Sequence, residues 1–121
     1  MAQKVLIVED EKAISRVMEL KMKQAGFEVE VAENGAKAIE RTQEVQFDCV
    51  LLDLILPEKD GFQVLEAIRQ TRPDTKVVVL TNLGQPEDRE RVMELGVLGY
   101  YVKSEMSIHT LVQKIQELIQ S

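Results

Sequence analysis

Five polar residues stand directly after apolar segments of this sequence. Glu9 and Asp10 follow one apolar run, Asp53 ends a second, Thr81 ends a third and Lys103 follows a fourth. Three carboxylates, a hydroxyl and an amine gathered in one place would form a site for a divalent metal ion and a phosphoryl group. That chemistry requires the four apolar runs to end at the same edge of one sheet.

The segments between these residues predict the elements that position them. Short β-branched runs alternate with segments in which apolar residues recur at helical spacing. Right-handed crossovers between the strands then give one doubly wound parallel α/β sheet with helices on both faces. In such sheets ligands bind beyond the carboxyl ends of the strands. The predicted strands are Lys4–Val8, Glu28–Ala32, 48–53, Lys76–Thr81 and 98–102, and the predicted helices are 11–25, 36–43, 62–71, 86–95 and 107–120.

Length and composition limit the classes of protein that fit. With 121 residues, 45% hydrophobic and 30% charged, the chain suits one globular domain. A formal net charge of −6 disfavours direct binding to nucleic acid, which needs clustered lysine and arginine. A single cysteine excludes an internal disulfide. Because neither a signal peptide nor a membrane span is recognisable, we expect a cytoplasmic protein with no membrane contact.

Four motifs follow one another along the chain: Val-Glu-Asp at 8–10, Leu-Leu-Asp-Leu-Ile-Leu-Pro-Glu-Lys-Asp-Gly at 51–61, Thr81, and Gly-Tyr-Tyr-Val-Lys at 99–103. In this order and spacing the sequence resembles the receiver domain of two-component response regulators, a flavodoxin-like phosphoacceptor domain. The resemblance covers essentially all 121 residues. It implies a sheet of five strands in the order 2-1-3-4-5 and a single receiver domain over 1–121, with no output domain in this chain.

The resemblance assigns the three acids to phosphoryl chemistry. Asp53 would be the phosphoacceptor, whose carboxylate oxygen attacks phosphorus and forms an acyl phosphate. Glu9, Asp10 and Asp53 would bind the cofactor Mg²⁺, a hard cation that takes oxygen ligands. A bound cation would also relieve the repulsion among three adjacent carboxylates. The donor would be a phosphohistidine on a sensor histidine kinase or a phosphotransfer protein.

Three further residues would bind the phosphoryl group and transmit the signal. Lys103 would pair with a phosphoryl oxygen, and the Thr81 hydroxyl would donate to another. Tyr100 would be a switch residue together with Thr81 and would turn inward on activation. A simpler alternative, that Tyr100 is half packed on the last helix, is compatible with this role. The readout surface would be 86–95, 98–102 and the last helix, recognised by a downstream protein target or a fused output domain. We expect no enzyme activity beyond self-catalysed phosphoryl transfer and autodephosphorylation.

Three residues depart from the family pattern. Glu9 stands where aspartate is common, and its longer side chain is expected to reach Mg²⁺ through water. Asn82 stands where the family has a small residue, and we expect it to narrow access to Asp53. Ser104 replaces the usual proline, often cis, so we expect a trans or strained bond after Lys103, because a non-proline cis bond costs about 2.5–4 kcal/mol.

Two alternative functions stay open at the level of the sequence. The first is a constitutive interaction module that keeps the fold without useful phosphorylation, an alternative to which Asn82 and Ser104 lend support. The second is an enzyme such as a phosphatase with an aspartyl nucleophile. Those phosphatases usually carry a second acid two residues after the nucleophile, whereas Asp53 is followed by Leu54 and Ile55.

Overall fold

The structure, a computed structural model, describes residues 2–120, and in this range strands and helices alternate as the sequence predicts. The termini of the elements differ from the predicted ones by at most one residue. The strands are β1 (Lys4–Val8), β2 (Glu28–Ala32), β3 (Cys49–Leu52), β4 (Lys76–Thr81) and β5 (Gly99–Val102), and the helices are α1 (Lys12–Gln24), α2 (Gly35–Glu44), α3 (Gly61–Thr71), α4 (Pro86–Glu94) and α5 (Ile108–Gln120).

The five strands form one parallel sheet in the order β2-β1-β3-β4-β5, which confirms the predicted fold class and strand order. The central strand β3 is buried on both faces because all four of its residues are apolar. Its register places Leu52 beside Val8 of β1, and the register of β4 places Thr81 beside Val102 of β5. The residues that follow these pairs therefore emerge at one edge of the sheet.

Alternation along the strands divides the core into two layers. On one face β-strand residues pack with α2, α3 and α4, and on the other face they pack with α1 and α5. The alternation extends to the two adjacent tyrosines, because Tyr100 belongs to the first layer and Tyr101 contacts the second. Both layers are closed by helices, so the carboxyl edge of the sheet is left as the place where polar side chains can gather.

One element was not predicted. Residues Lys103–Glu105 form a single 3₁₀ turn between β5 and α5. The Lys103–Ser104 peptide is trans, as are the other peptide bonds of the described chain, which agrees with the expectation drawn from the missing proline. Among the residues that the structure describes, no helix combines the length and the hydropathy that crossing a lipid bilayer requires.

Candidate functional site

The three predicted acids meet at the carboxyl edge of the sheet. Glu9, Asp10 and Asp53 each place a carboxylate oxygen so that all three atoms lie within 4.8 Å of one another. Glu9 and Asp53 are buried, at 3% and 4% exposure, whereas Asp10 is open to solvent. A donor set of three carboxylates with one side open to water fits a hard divalent cation such as Mg²⁺, which keeps several water ligands when protein-bound.

Lys103 joins the acids by a bridge across the site. Its ammonium donates to Asp53 Oδ2 at 2.8 Å and also to Glu9 Oε2. The Lys103 side chain is only 9% exposed, so this ion triad is largely shielded from solvent. The lysine that the sequence places after β5 therefore reaches the end of the central strand, even though a serine follows it.

The electrostatics of the triad follow from its unequal charges, since two buried carboxylates share one ammonium. Burial raises the pKa of the Glu9 carboxyl above its ordinary value of 4.5, and Lys103 offsets only part of that effect. Burial by itself would lower the pKa of Lys103, but its hydrogen bonds and charge attraction to Asp53 and Glu9 outweigh burial and raise it. Lys103 is thus held as a cation, and the site keeps a surplus of negative charge.

Backbone amides hold the second oxygen of each buried carboxylate. The Glu11 amide donates to Glu9 Oε1 at 3.2 Å, and the Ile55 amide donates to Asp53 Oδ1 at 3.1 Å. Both amides lie two residues beyond the acid they bind, at the point where the strand gives way to a loop. These two amides are not predictable from residue types because every residue except proline carries one, although an acid at a strand end is a signal for such local bonds.

The start of α3 packs directly on the backbone of Asp53. Asp60 caps the helix in a reciprocal capping box with Gln63. The next residue, Gly61, donates its amide to Leu54 O at 3.0 Å. A methyl group added at Gly61 would lie 2.4 Å from the Asp53 carbonyl oxygen, which is closer than real contacts allow. The glycine at the end of the 51–61 motif is therefore required for the close approach of α3 to the site.

Thr81 and Tyr100 both bond to Leu83, in the loop that follows β4. Thr81 is completely buried, and its hydroxyl oxygen accepts from the Leu83 amide at 3.2 Å. The Tyr100 hydroxyl donates to the Leu83 carbonyl, and the residue is only 7% exposed. Tyr100 packs in the layer of α3 and α4, so the alternative of a tyrosine half packed on the last helix is wrong. Its ring faces that layer because strand alternation sends Tyr101 to the α5 side.

Asn82 and Ser104 contact each other. Both residues depart from the family pattern. The Ser104 amide donates to Asn82 Oδ1 at 3.1 Å. Each residue directly follows a member of the site, Thr81 in one case and Lys103 in the other. The bond therefore joins the two backbone segments that carry the hydroxyl and the amine.

A parallel five-stranded sheet with acids and a lysine at its carboxyl edge defines the class of CheY-like flavodoxin folds. The profile of the response regulator receiver domain family matches residues 5–116, and the chain belongs to this family. Membership of the family associates the chain with two-component signalling based on phosphorylation.

Individual relatives agree with this assignment. The chain is 38% identical over 103 residues to the transcriptional regulatory protein SrrA of Staphylococcus aureus, a match that covers 85% of this chain and 42% of that protein. The chain thus matches about two fifths of the length of this curated relative.

Solved structures share the whole fold. A CheY-like receiver domain protein from Methanospirillum hungatei superimposes with a TM-score of 0.92 at 26% identity, covering 99% of this chain and 95% of its own. The chemotaxis response regulator CheY4 of Vibrio cholerae gives 0.87 at 29% identity, covering 98% and 99%.

Proposed function

We propose that the chain is a phosphorylation-controlled switch in which Asp53 accepts a phosphoryl group from a histidine kinase or a phosphotransfer protein. The single observation that carries the proposal is the Lys103 bridge to Asp53 at the end of the central strand. A buried carboxylate paired with a cation, beside two further acids, suits the transfer of a doubly negative group. Family membership supports the same chemistry.

Each residue of the site has a defined task in this proposal. A carboxylate oxygen of Asp53 attacks phosphorus, an O–P bond forms, and the N–P bond of the donor phosphohistidine breaks with its electron pair returning to the imidazole. The Lys103 ammonium, already 2.8 Å from Asp53 Oδ2, balances charge on the incoming phosphoryl oxygens. The Thr81 hydroxyl donates to another of these oxygens.

The acid cluster would bind the metal ion that receiver chemistry uses. Glu9, Asp10 and Asp53 are the residues that would hold Mg²⁺, and the bound ion would neutralise charge on the phosphoryl oxygens. Glu9 Oε2 is engaged by Lys103 and Glu9 Oε1 by a backbone amide. Both oxygens of Asp53 are engaged in the same way, whereas Asp10 is exposed to solvent. We therefore propose that Asp10 contributes most to metal binding and that Glu9 acts through a water molecule, as its longer side chain suggests.

The output of the proposed switch is a change of surface. We propose that α4, β5 and α5 form the face that a downstream protein or a fused output domain recognises. The match to SrrA, a transcriptional regulatory protein, suggests control of transcription by the output partner. With a net charge of −6, this chain is not proposed to bind nucleic acid itself. We propose a cytoplasmic location and no catalytic turnover of an external substrate.

The test is incorporation of phosphate at Asp53. The protein is incubated with Mg²⁺ and a small phosphoryl donor, and hydroxylamine-sensitive phosphate is measured by mass spectrometry in wild type, Asp53→Asn and Asp48→Asn. Asp48 lies just before the opposite end of β3, where its carboxylate accepts from the Lys4 amide, so it is a matched control. We expect one phosphate per chain in wild type and Asp48→Asn and none in Asp53→Asn.

The same experiment separates the alternatives. A wild-type protein that incorporates no phosphate would indicate a constitutive interaction module. Steady release of inorganic phosphate over many turnovers would indicate an enzyme. Label that persists at full stoichiometry in Asp53→Asn would place the acceptor at another residue.

A further inference from the structure

Three hydrogen bonds fasten the loop that follows β4. The Leu83 amide donates to Thr81 Oγ1 at 3.2 Å, which closes a local turn. The Tyr100 hydroxyl donates to the Leu83 carbonyl, and the Ser104 amide donates to Asn82 Oδ1 at 3.1 Å. Two of the three bonds thus lead from this loop to β5 or to the turn beyond it. Of these two, the bond between Asn82 and Ser104 lies closest in sequence to the residues that would bind the phosphoryl group.

The Asn82–Ser104 bond connects the two chain segments just beyond the end of the sheet. Pairing between β4 and β5 stops at Thr81 and Val102, and the chain then enters the 3₁₀ turn Lys103–Glu105. The first amides of a helical turn have no acceptor within the turn itself. The Asn82 side chain supplies an acceptor for one of them and so continues the connection between the two segments by one further step.

We propose that Asn82 is a positioning residue for Lys103 and couples it to Thr81, an inference that rests on the proposed function. The Lys103 ammonium donates to Asp53 and Glu9. The backbone of Lys103 lies between Val102, which pairs with Thr81 of β4, and Ser104, whose amide donates to Asn82. Removal of the Asn82 acceptor leaves this backbone with its local bond from the Met106 amide to the Lys103 carbonyl, but without a hydrogen bond from Ser104 to the loop that follows β4.

The same bond makes the two phosphoryl contacts depend on each other. A movement of Thr81 toward a phosphoryl group displaces the next residue, Asn82, and Asn82 is bonded to the residue after Lys103. Displacement of the hydroxyl is therefore transmitted to the segment that carries the amine. Without the side-chain oxygen of Asn82, Thr81 and Lys103 respond to the phosphoryl group independently of each other.

A different role for Asn82 is steric shielding of Asp53, and the two roles predict different results. Shielding depends on the size of residue 82 alone, so Asn82→Ala would speed phosphorylation whatever residue stands at position 104. Positioning requires the Ser104 amide, which Ser104→Pro removes. Under positioning, Asn82→Ala slows phosphorylation by a small donor roughly two- to tenfold, the effect of one hydrogen bond, and has little further effect in the Ser104→Pro background.

The first experiment needs no phosphoryl donor. The Ser104 amide and the Lys103 side-chain ammonium are observed by NMR in wild type, Asn82→Ala, Asn82→Asp and Gln85→Ala. Gln85 is an exposed amide residue of the same loop and serves as the control. We expect the Ser104 amide proton to move upfield and the Lys103 ammonium signal to broaden in Asn82→Ala only, with Asn82→Asp restoring the Ser104 shift because it keeps an oxygen acceptor.

The second experiment is the phosphorylation-rate cycle of wild type, Asn82→Ala, Ser104→Pro and the double variant. Non-additive slowing supports the proposal, and additive rates or faster labelling of Asn82→Ala would overturn it. Unchanged Ser104 and Lys103 signals in Asn82→Ala would overturn it even if Ser104→Pro fails to fold. If wild type incorporates no phosphate, the proposed function is contradicted. The NMR experiment still tests whether Asn82 positions Lys103, because it needs no phosphoryl donor.

Discussion

At the level of single residues, burial determines how the Glu9 carboxyl titrates. Glu9 and Asp53 share one ammonium, and burial raises the pKa of Glu9 above 4.5. As pH rises, the unfolded chain releases this proton before the folded protein does. The stability of the folded state therefore decreases as pH rises from the ordinary pKa of glutamate to the raised pKa of Glu9, and is constant above it.

Glu9→Gln is predicted to raise the melting temperature at neutral pH. Glutamine resembles protonated glutamate in shape and does not titrate, so the two proteins should be equally stable at about pH 4 and diverge as pH increases. Thermal unfolding of both proteins from about pH 4 to about pH 8 gives the comparison, with Glu117→Gln on exposed α5 surface as control. A constant difference between Glu9→Gln and wild type at every pH would contradict the raised pKa.

Metal binding is predicted to depend more on Asp10 than on Glu9. A cation must compete with Lys103 for oxygens of Glu9 and Asp53, whereas Asp10 is exposed to solvent. Asp10→Asn should weaken Mg²⁺ binding by roughly tenfold or more, as loss of a metal-site group commonly does. Calorimetric titration is the measurement, and Asp74→Asn, an exposed acid in the loop before β4, is the control. Unchanged Mg²⁺ binding in Asp10→Asn would contradict the assignment of Asp10 as a metal-binding residue.

The sequence alone predicts which residues form the site, but not the hydrogen bonds of the loops beside them. Acids and a lysine at strand ends must meet when the strands are parallel, so their convergence was predictable. The inward position of Tyr100 and its bond to Leu83 depend on side-chain rotamers. The bond between Asn82 and Ser104 depends on the path of two short loops. No period or motif in one sequence encodes these, since they arise only when two loops pack against each other.

At the level of elements, α3 constrains the backbone of the phosphoacceptor. Gly61→Ala is predicted to destabilise the protein by about 1–3 kcal/mol, the usual cost of overpacking, because the new methyl group would lie 2.4 Å from the Asp53 carbonyl oxygen. Gly84→Ala is the matched control, since a methyl group there meets nothing within 4 Å. Urea unfolding of the two variants measures the difference, and equal midpoints would refute the close-packing argument.

The elements themselves were largely predictable, and the exception has a physical reason. Continuous apolar runs at β1, β3 and β4 and the amphipathic period of α5 leave little ambiguity about the type of each element. The 3₁₀ turn Lys103–Glu105 has no such period, because it is a single turn whose geometry follows from its neighbours. Ends shifted by one residue reflect capping, as at Asp60, which lies outside the helix it caps.

At the level of the whole molecule, α4 is fixed at one end and attached to the site at the other. The Arg69 guanidinium donates to the carbonyls of Leu95 and Gly96, at 2.6 and 3.2 Å, and so ties the C-terminal end of α4 to α3. The N-terminal end of α4 follows the loop that starts at Thr81. A displacement at Thr81 is therefore expected to move the start of α4 more than its end.

The energetics of such a switch require more than one contact. Moving a two-state equilibrium from 1:99 to 99:1 takes about 5.5 kcal/mol of differential affinity. One hydrogen bond to a charged group contributes roughly 1.5–3 kcal/mol. Thr81 and Lys103 are therefore both needed for a full response, and loss of either should leave a partial one. Because Tyr100 is already buried in this structure, its part in the response is expected to be a changed contact with Leu83.

Thr81→Ala is accordingly predicted to accept phosphate at Asp53 yet to transmit it poorly. The acceptor and Lys103 are unchanged, so labelling persists, but the pull on the loop before α4 is lost. Backbone NMR shifts of residues 86–112, with and without beryllofluoride, report the response in wild type and in Thr81→Ala. Thr42→Ala in α2 is the control, because Thr42 is also buried but is not part of the site. We expect the shift changes across α4, β5 and the start of α5 to shrink in Thr81→Ala alone. Equal perturbation of this face in all three proteins would rule the mechanism out, because the signal would then reach α4 without the hydroxyl.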